Sequence, residues 1–141
     1  MKKNLIVKQD GYKECGAASL LSIIRYYGGN ISINKLVKLT ATDKLGTNFY
    51  NIKAAANTIG LEALGYHVND LNKLYTLKKP FLCQIIENNY EHFIVVYKVN
   101  KNNIEIMDPA FGKRIISTCE FIKLWTNYIM LFNPRKKLVY Y

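Results

Sequence analysis

At 141 residues and 50% hydrophobic, the chain is long enough to bury a core and too short for two ordinary domains, so a single domain over 1–141 is expected. No apolar run reaches the roughly 18 residues of a membrane-spanning helix, and the start Met1-Lys2-Lys3-Asn4-Leu5-Ile6-Val7 lacks the apolar core and cleavage site of a signal peptide. Twenty Lys and Arg against ten Asp and Glu leave a net charge of +10, which draws acidic partners.

The basic residues are scattered, as at Lys35, Lys38, Lys53, Lys73 and Lys98, with no glycine-aromatic nucleic-acid signature, so nucleic acid is not the expected partner. A lysine-rich solvated surface is the plainer reading of the same charge. Three cysteines are too few and too odd in number for a disulfide framework, which points to a reducing, cytosolic setting.

In chain order, the polar stretch from Lys8 to Glu14 gives way to Ala17, Leu20, Leu21 and Ile24, spaced as one buried face of a helix. Gly28-Gly29-Asn30 stops it. Ser32 caps a short helix over 34–39, and Thr47 or Asn48 opens another over 49–59, with Ile52, Ala55, Ala56 and Ile59 on one face and Gly60 as its end. A strand is expected over 61–68, then a single helical turn capped by Asp70 and carrying Leu71 and Leu74. Further strands follow over 81–86, 92–99, 104–108 and 114–116, then a short helix over 119–125 and a last strand over 128–132. Helices first and an antiparallel sheet afterwards make an α+β fold.

Cys15 falls where the polar stretch becomes helix. The free N–H groups and dipole of a helix N-terminus favour an anion, hence a thiolate nucleophile. Gln9, six residues upstream, carries a side-chain N–H that suits a developing oxyanion. Of the two histidines, His92 heads a β-branched strand, and Asp108 ends the next one before Pro109. Pairing Val99 with Ile104 across the Asn100–Asn103 turn sets Asp108 opposite Val95, three residues from His92. That is roughly 10 Å of strand, so only a bulge or a bend at Pro109 brings the two together.

Taken singly, each residue has a plainer role: Cys15 as a small core side chain, His92 as a strand-end histidine, Asp108 as a turn former. His67 has no aspartate in phase and reads as structural or surface. Cys83 reads as core, and Cys119 as core or partly exposed on a helix. No cysteine or histidine pair has zinc-ligand spacing, so neither metal nor cofactor is expected.

These residues carry a resemblance. Gln9-Asp10-x-x-x-Glu14-Cys15-Gly16-Ala17-Ala18 resembles the nucleophile motif of the C39 cysteine peptidases, papain-like enzymes that process bacteriocin and lanthipeptide precursors. His92-Phe-Ile-Val-Val resembles that family's histidine strand. Asp108-Pro-Ala-x-Gly112, with the Glu-Phe-x-x-x-Trp run ending at Trp125, is similar to its aspartate segment and C-terminal end. Glu14 departs from the aspartate that commonly precedes the Cys-Gly pair, but either acid suits a helix N-terminus.

The resemblance implies a papain-like fold with Cys15 as nucleophile, His92 as base and then acid, Asp108 as its orienting partner, and Gln9 with the Cys15 N–H as oxyanion hole. It implies a precursor peptide cut after a double-glycine (Gly-Gly or Gly-Ala) leader carrying an acidic amphipathic helix. It also implies attachment to the membrane and nucleotide-binding domains of an ABC exporter at the cytosolic face, with ATP used only there. Arg135-Lys136-Lys137 suits a junction with the membrane, and the helix over 49–59 or the segment around Tyr26 and Tyr27 suits leader binding. A leader-binding domain of the same fold without catalysis, or another Cys-His-Asp acyl transferase such as a deamidase, are the alternatives.

Overall fold

In the computed structural model, which describes residues 1–135, short polar side chains open the helices by taking up otherwise unpaired N–H groups. Ser32 accepts from Lys35 N–H ahead of α2 (Ile33–Leu39), and Asn48 accepts from Asn51 N–H ahead of α3 (Phe49–Ile59). Ser117 does the same for Glu120 N–H ahead of α4 (Thr118–Leu124), and Asp70 for Asn72 N–H at the 3₁₀ turn Leu71–Tyr75. Gly60, at φ 108°, ends α3 in the left-handed conformation that favours glycine. Lys136 and Lys137 of the basic run lie outside the described residues.

Six strands form one antiparallel sheet in the order β1-β6-β2-β3-β4-β5. They are β1 (Leu61–His67), β2 (Phe81–Glu87), β3 (Tyr90–Val99), β4 (Asn103–Asp108), β5 (Gly112–Ser117) and β6 (Trp125–Pro134). The last strand is longer than its apolar core 128–132, and it takes Trp125 from the expected end of α4. It lies between β1 and β2, so ladder bonds on both sides recruit polar neighbours that no hydrophobic pattern marks.

Successive residues of the central strands face opposite layers. Leu82, Phe93, Val95, Met107 and Phe132 pack with Leu20, Leu21, Ile24 and Ile52 of the helical layer. Phe81, Cys83, Ile94, Val96 and Ile106 pack with Leu74, Phe121 and Trp125 on the other side. The expected helices on one face of a sheet are therefore joined by a second cover, made of α4 and the Leu71–Tyr75 turn. That explains the unbroken apolar run Phe93–Ile94–Val95–Val96, since a strand buried on both faces loses its alternation.

The first helix, α1 (Cys15–Tyr26), is buried around its whole circumference from Cys15 to Ile24, rather than on the one face that the spacing predicts. It runs between the sheet, α2, α3 and the N-terminal 3₁₀ turn Lys3–Leu5, which leaves no side for solvent.

Candidate active site

A row of small polar side chains on α1 fixes the helix against β3. Cys15, Ser19 and Ser22 recur at i, i+4 and i+7, one edge of a helix. Cys15 Sγ accepts from Phe93 N–H at 3.5 Å, and Ser19 Oγ donates to Phe93 O at 3.2 Å. Ser22 Oγ donates to Leu5 O at 2.6 Å, so the Tyr97 hydroxyl at 2.6 Å is the donor to Ser22. This polar edge is a signal in the sequence that the apolar spacing hides, and it sets where Cys15 meets the sheet.

Gly16 makes the same approach possible. A Cβ there would run into Thr47 Cγ2 and lie 3.3 Å from Ile52 Cδ1 and 3.4 Å from Phe93 Cδ2. Gly16→Ala is expected to lose about 1–3 kcal/mol of stability through overpacking. A urea unfolding midpoint equal to that of the unsubstituted chain would show that the Thr47 loop yields without strain.

The β3–β4 hairpin begins in the expected register, with Val99 opposite Ile104 and Lys98 opposite Glu105. The register then shifts at Tyr97, so Val96 meets Ile106 and Val95 meets Met107. One step further sets Asp108 opposite Ile94 instead of Val95. Because facing alternates residue by residue, this one-residue bulge moves Asp108 onto the face of the sheet that His92 shares. His92 Nε2 and Asp108 Oδ1 are 2.6 Å apart, and Asp108 is wholly buried.

Asp108 is also held from behind. Its Oδ1 accepts from Ala110 N–H at 2.9 Å, and its Oδ2 accepts from Arg114 Nη1 at 2.8 Å. Gln9 N–H donates to Pro109 O at 2.8 Å, which ties the segment before Cys15 to the end of β4. The Gln9 side-chain oxygen is buried with no hydrogen-bond partner among the described residues.

Burial works against a charged imidazole, but hydrogen bonds to Asp108 and Cys15 and the fields of both outweigh it, and the pKa of His92 rises to about 9. Burial likewise pushes the Asp108 carboxyl up, and the bonds from His92 and Arg114 more than reverse this, so it lies below its ordinary value. The pair is therefore imidazolium and carboxylate at neutral pH. With Nε2 given to Asp108, Nδ1 is the ring nitrogen left for the sulfur of Cys15.

Cys15 and Phe93 face a cleft of about 690 Å³. One wall is the Leu45-Gly46-Thr47 loop, and the other is the β2–β3 hairpin with Gln84, Asn89, Tyr90 and Glu91. Asn88 and Asn89, both at positive φ, make the tight hairpin turn between them. Leu45 and Tyr90 stand on the rim, 93% and 68% exposed.

The other expectations sort themselves by burial. Cys83 is wholly buried and its thiol is pushed well up by that burial, whereas Cys119 is exposed on α4. His67 is exposed, its ring 4.8 Å from that of Tyr128 and away from the cleft. Among the described residues, no group of three His, Cys, Asp or Glu side chains is arranged to hold a metal ion, and no helix is long and apolar enough to cross a membrane.

Comparison with known proteins meets this geometry. The sequence is 36% identical over 137 residues to the lactococcin-G-processing and transport ATP-binding protein LagD of Lactococcus lactis subsp. lactis; the match takes in 96% of this chain but only 19% of that protein, about a fifth of its length. The fold is similar to the peptidase domain of Streptococcus ComA, a bifunctional ABC transporter involved in quorum sensing, with a TM-score of 0.83 and 30% identity over 91% of this chain and 96% of that one. It is equally similar to a double-glycine motif protease from an AMS/PCAT transporter, solved in complex with the leader peptide, with a TM-score of 0.85 and 30% identity over 92% of this chain and 90% of that one. The α+β papain-like architecture expected from the motifs is thus the one that these peptidase domains share. The match to the Peptidase C39 family runs over residues 3–137, from ahead of Gln9 to beyond β6, and the chain belongs to that family of cysteine peptidases.

Proposed function

We propose that this domain removes the leader from ribosomally made bacteriocin or lanthipeptide precursors by cutting after a double-glycine pair. One observation carries the chemistry: His92, held by Asp108, also interacts with Cys15 at the head of α1, where the sulfur opens onto the cleft. An imidazolium beside a sulfur favours the anionic nucleophile. Cys15 attacks the scissile carbonyl, and the electron pair moves to the carbonyl oxygen. His92 gives its proton to the leaving amine, and later takes one from the water that attacks the thioester. Asp108 holds the ring and the charge on it. The Gln9 amide and the Cys15 N–H receive the oxyanion, a role that the half-buried Gln9 side chain and the tether of its backbone to Pro109 support.

The leader-bound double-glycine protease supports the substrate class. Around the cut, the walls formed by Gly46 and Thr47 and by Gln84 and Tyr90 would reject side chains at the two preceding positions. Beyond the cleft, Phe49 stacks edge-on against Phe93 at 5.1 Å and leads to an apolar groove with Tyr66, Tyr128 and Ile129. Tyr26 and Tyr27 lie at the opposite end of α1, about 16 Å from Cys15, which favours α3 as the leader-binding side. An acidic amphipathic leader helix fits a groove on a +10 protein.

By the same reading, the domain works at the cytosolic face, beside the membrane and nucleotide-binding domains of an exporter, as the transport names of its relatives support. Any use of ATP belongs to those domains.

The test is mass spectrometry of a synthetic precursor incubated with the protein. A single cut after Gly-Gly is expected, lost when either glycine becomes leucine. Leaders shortened at the upstream end should lose kcat/KM at least about tenfold, because remote anchors supply the binding energy. Uncut precursor would favour the non-catalytic leader-binding role. A short peptide spanning only the cut, processed as fast as the full leader, would remove the groove from this account.

A further inference from the structure

We propose that Arg114, itself clamped by Glu87, is a positioning residue that holds Asp108 in line with His92 during cleavage. This rests on the peptidase reading above and extends it by two residues. Arg114 lies on β5 opposite Ile106, two residues before Asp108 on the same face of β4, so its side chain runs beneath the carboxylate. Its Nη1 donates to Asp108 Oδ2 at 2.8 Å and to Glu87 Oε1 at 3.1 Å, while Nη2 donates to Glu87 Oε2 at 3.3 Å. The Phe111 ring covers the guanidinium at 5.1 Å.

Each oxygen of Asp108 therefore has a separate task. Oδ1 faces His92 and the Ala110 N–H, and Oδ2 is fixed by Arg114. Without Arg114, the carboxylate of a wholly buried residue has a free end, and small rotations about its side chain lengthen the bond to His92.

The charges explain why Glu87 is needed. His92 is faced by Cys15 from α1 and Asp108 from β4, with Arg114 of β5 and Glu87 of β2 behind Asp108; Glu91, its neighbour, is engaged by Gln84. A lone guanidinium behind Asp108 would disfavour the imidazolium. Glu87 cancels that charge, so Arg114 orients Asp108 without weakening the protonated form of His92. A purely structural pair is the competing role. Arg114 and Glu87 keep 20% and 26% of their side-chain surface in solvent, and partly exposed pairs add little stability. The activity loss should accordingly exceed the stability loss.

The experiment measures kcat and KM on the Gly-Gly precursor, thermal unfolding, and NMR titration of the imidazole rings, of which the chain has only two, His67 and His92. Arg114→Met is expected to lower kcat about 10- to 100-fold with KM nearly unchanged, and Arg114→Lys to recover part of it. Glu87→Gln should move the His92 midpoint down by about half a pH unit or more, with His67 as the unmoved reference. If Arg114→Met does not fold, Glu87→Leu/Arg114→Leu replaces the pair with apolar side chains. A folded but slow double variant supports the proposal. Full kcat in Arg114→Met or in the double variant, no recovery with lysine, or an unmoved His92 midpoint in Glu87→Gln overturns it. Cys15→Ala runs alongside: if that variant still cleaves, the peptidase reading itself fails, whereas a dead Cys15→Ala beside a fully active Arg114→Met rejects only the role of Arg114.

Discussion

Cys15→Ala is expected to lose cleavage by about 10⁶-fold, the scale seen when the nucleophile of a concerted triad is removed. The sulfur is also the acceptor for Phe93 N–H in a buried site, so alanine leaves that donor unpaired and lowers stability by about 1–3 kcal/mol. Cys15→Ser keeps an acceptor at that position and should restore stability without restoring activity, because a hydroxyl does not form an ion pair with His92. Iodoacetamide labelling adds a second measurement, read against the burial of each cysteine, since Cys119 is exposed on α4. Cys83 is shielded and should stay unlabelled. Cys119 should react as an ordinary exposed thiol. Cys15 should react through the cleft, so a leader peptide ending in Gly-Gly should protect Cys15 and leave Cys119 unaffected. Labelling of Cys15 that the leader peptide does not change, or an active Cys15→Ala chain, would take the nucleophile away from Cys15.

Much of this site was legible because local chemistry and global fold agree in this chain. Ser32, Asn48, Asp70, Gly60 and Gly28-Gly29 each mark a helix end that tertiary packing leaves alone. The strands around His92 are β-branched and unambiguous. What could not be read depends on distant partners. The edge of α1 that hydrogen-bonds to Phe93 and Tyr97 of β3 is polar, so a search for apolar periodicity passes over Ser19 and Ser22. The bulge at Tyr97 leaves no mark in the hairpin sequence: the turn fixes Val99 against Ile104, and the register slips only between Val96 and Lys98. Arg114 is invisible for the same reason, since its partners Glu87 and Asp108 come from two other strands. The family motif identifies Asp108 where register arithmetic alone sets it on the wrong face.

Asp108→Asn is expected to disturb this site more than the same change disturbs a simple triad. In a simple triad, asparagine preserves the geometry and only the tautomer is lost. Here the carboxylate has three donors around it: His92 Nε2, Ala110 N–H and Arg114 Nη1. An amide has one oxygen, so its NH₂ must point either at the imidazole or at the guanidinium. Facing Arg114, it sets donor against donor and leaves a half-buried guanidinium with Glu87 alone. Facing His92, it reverses the tautomer. Either way kcat should fall by about 10⁴-fold, the scale for loss of the orienting aspartate, and the unfolding midpoint should fall too. The pH profile separates orientation from simple destabilisation. The Asp108 bond and charge are among the causes that lift His92 to about 9, so in the unsubstituted chain kcat/KM should decline as pH rises through about 9 and the imidazolium is lost. Removing that anion removes an upward cause while burial still pushes down, so the decline in Asp108→Asn should move to lower pH. Two results would oppose this: kcat within a few-fold of the unsubstituted chain, which would make another group the partner of His92, or a lower kcat with the alkaline limb still near pH 9, which would make Asp108 a structural anchor for Arg114 rather than the residue that sets the charge on His92.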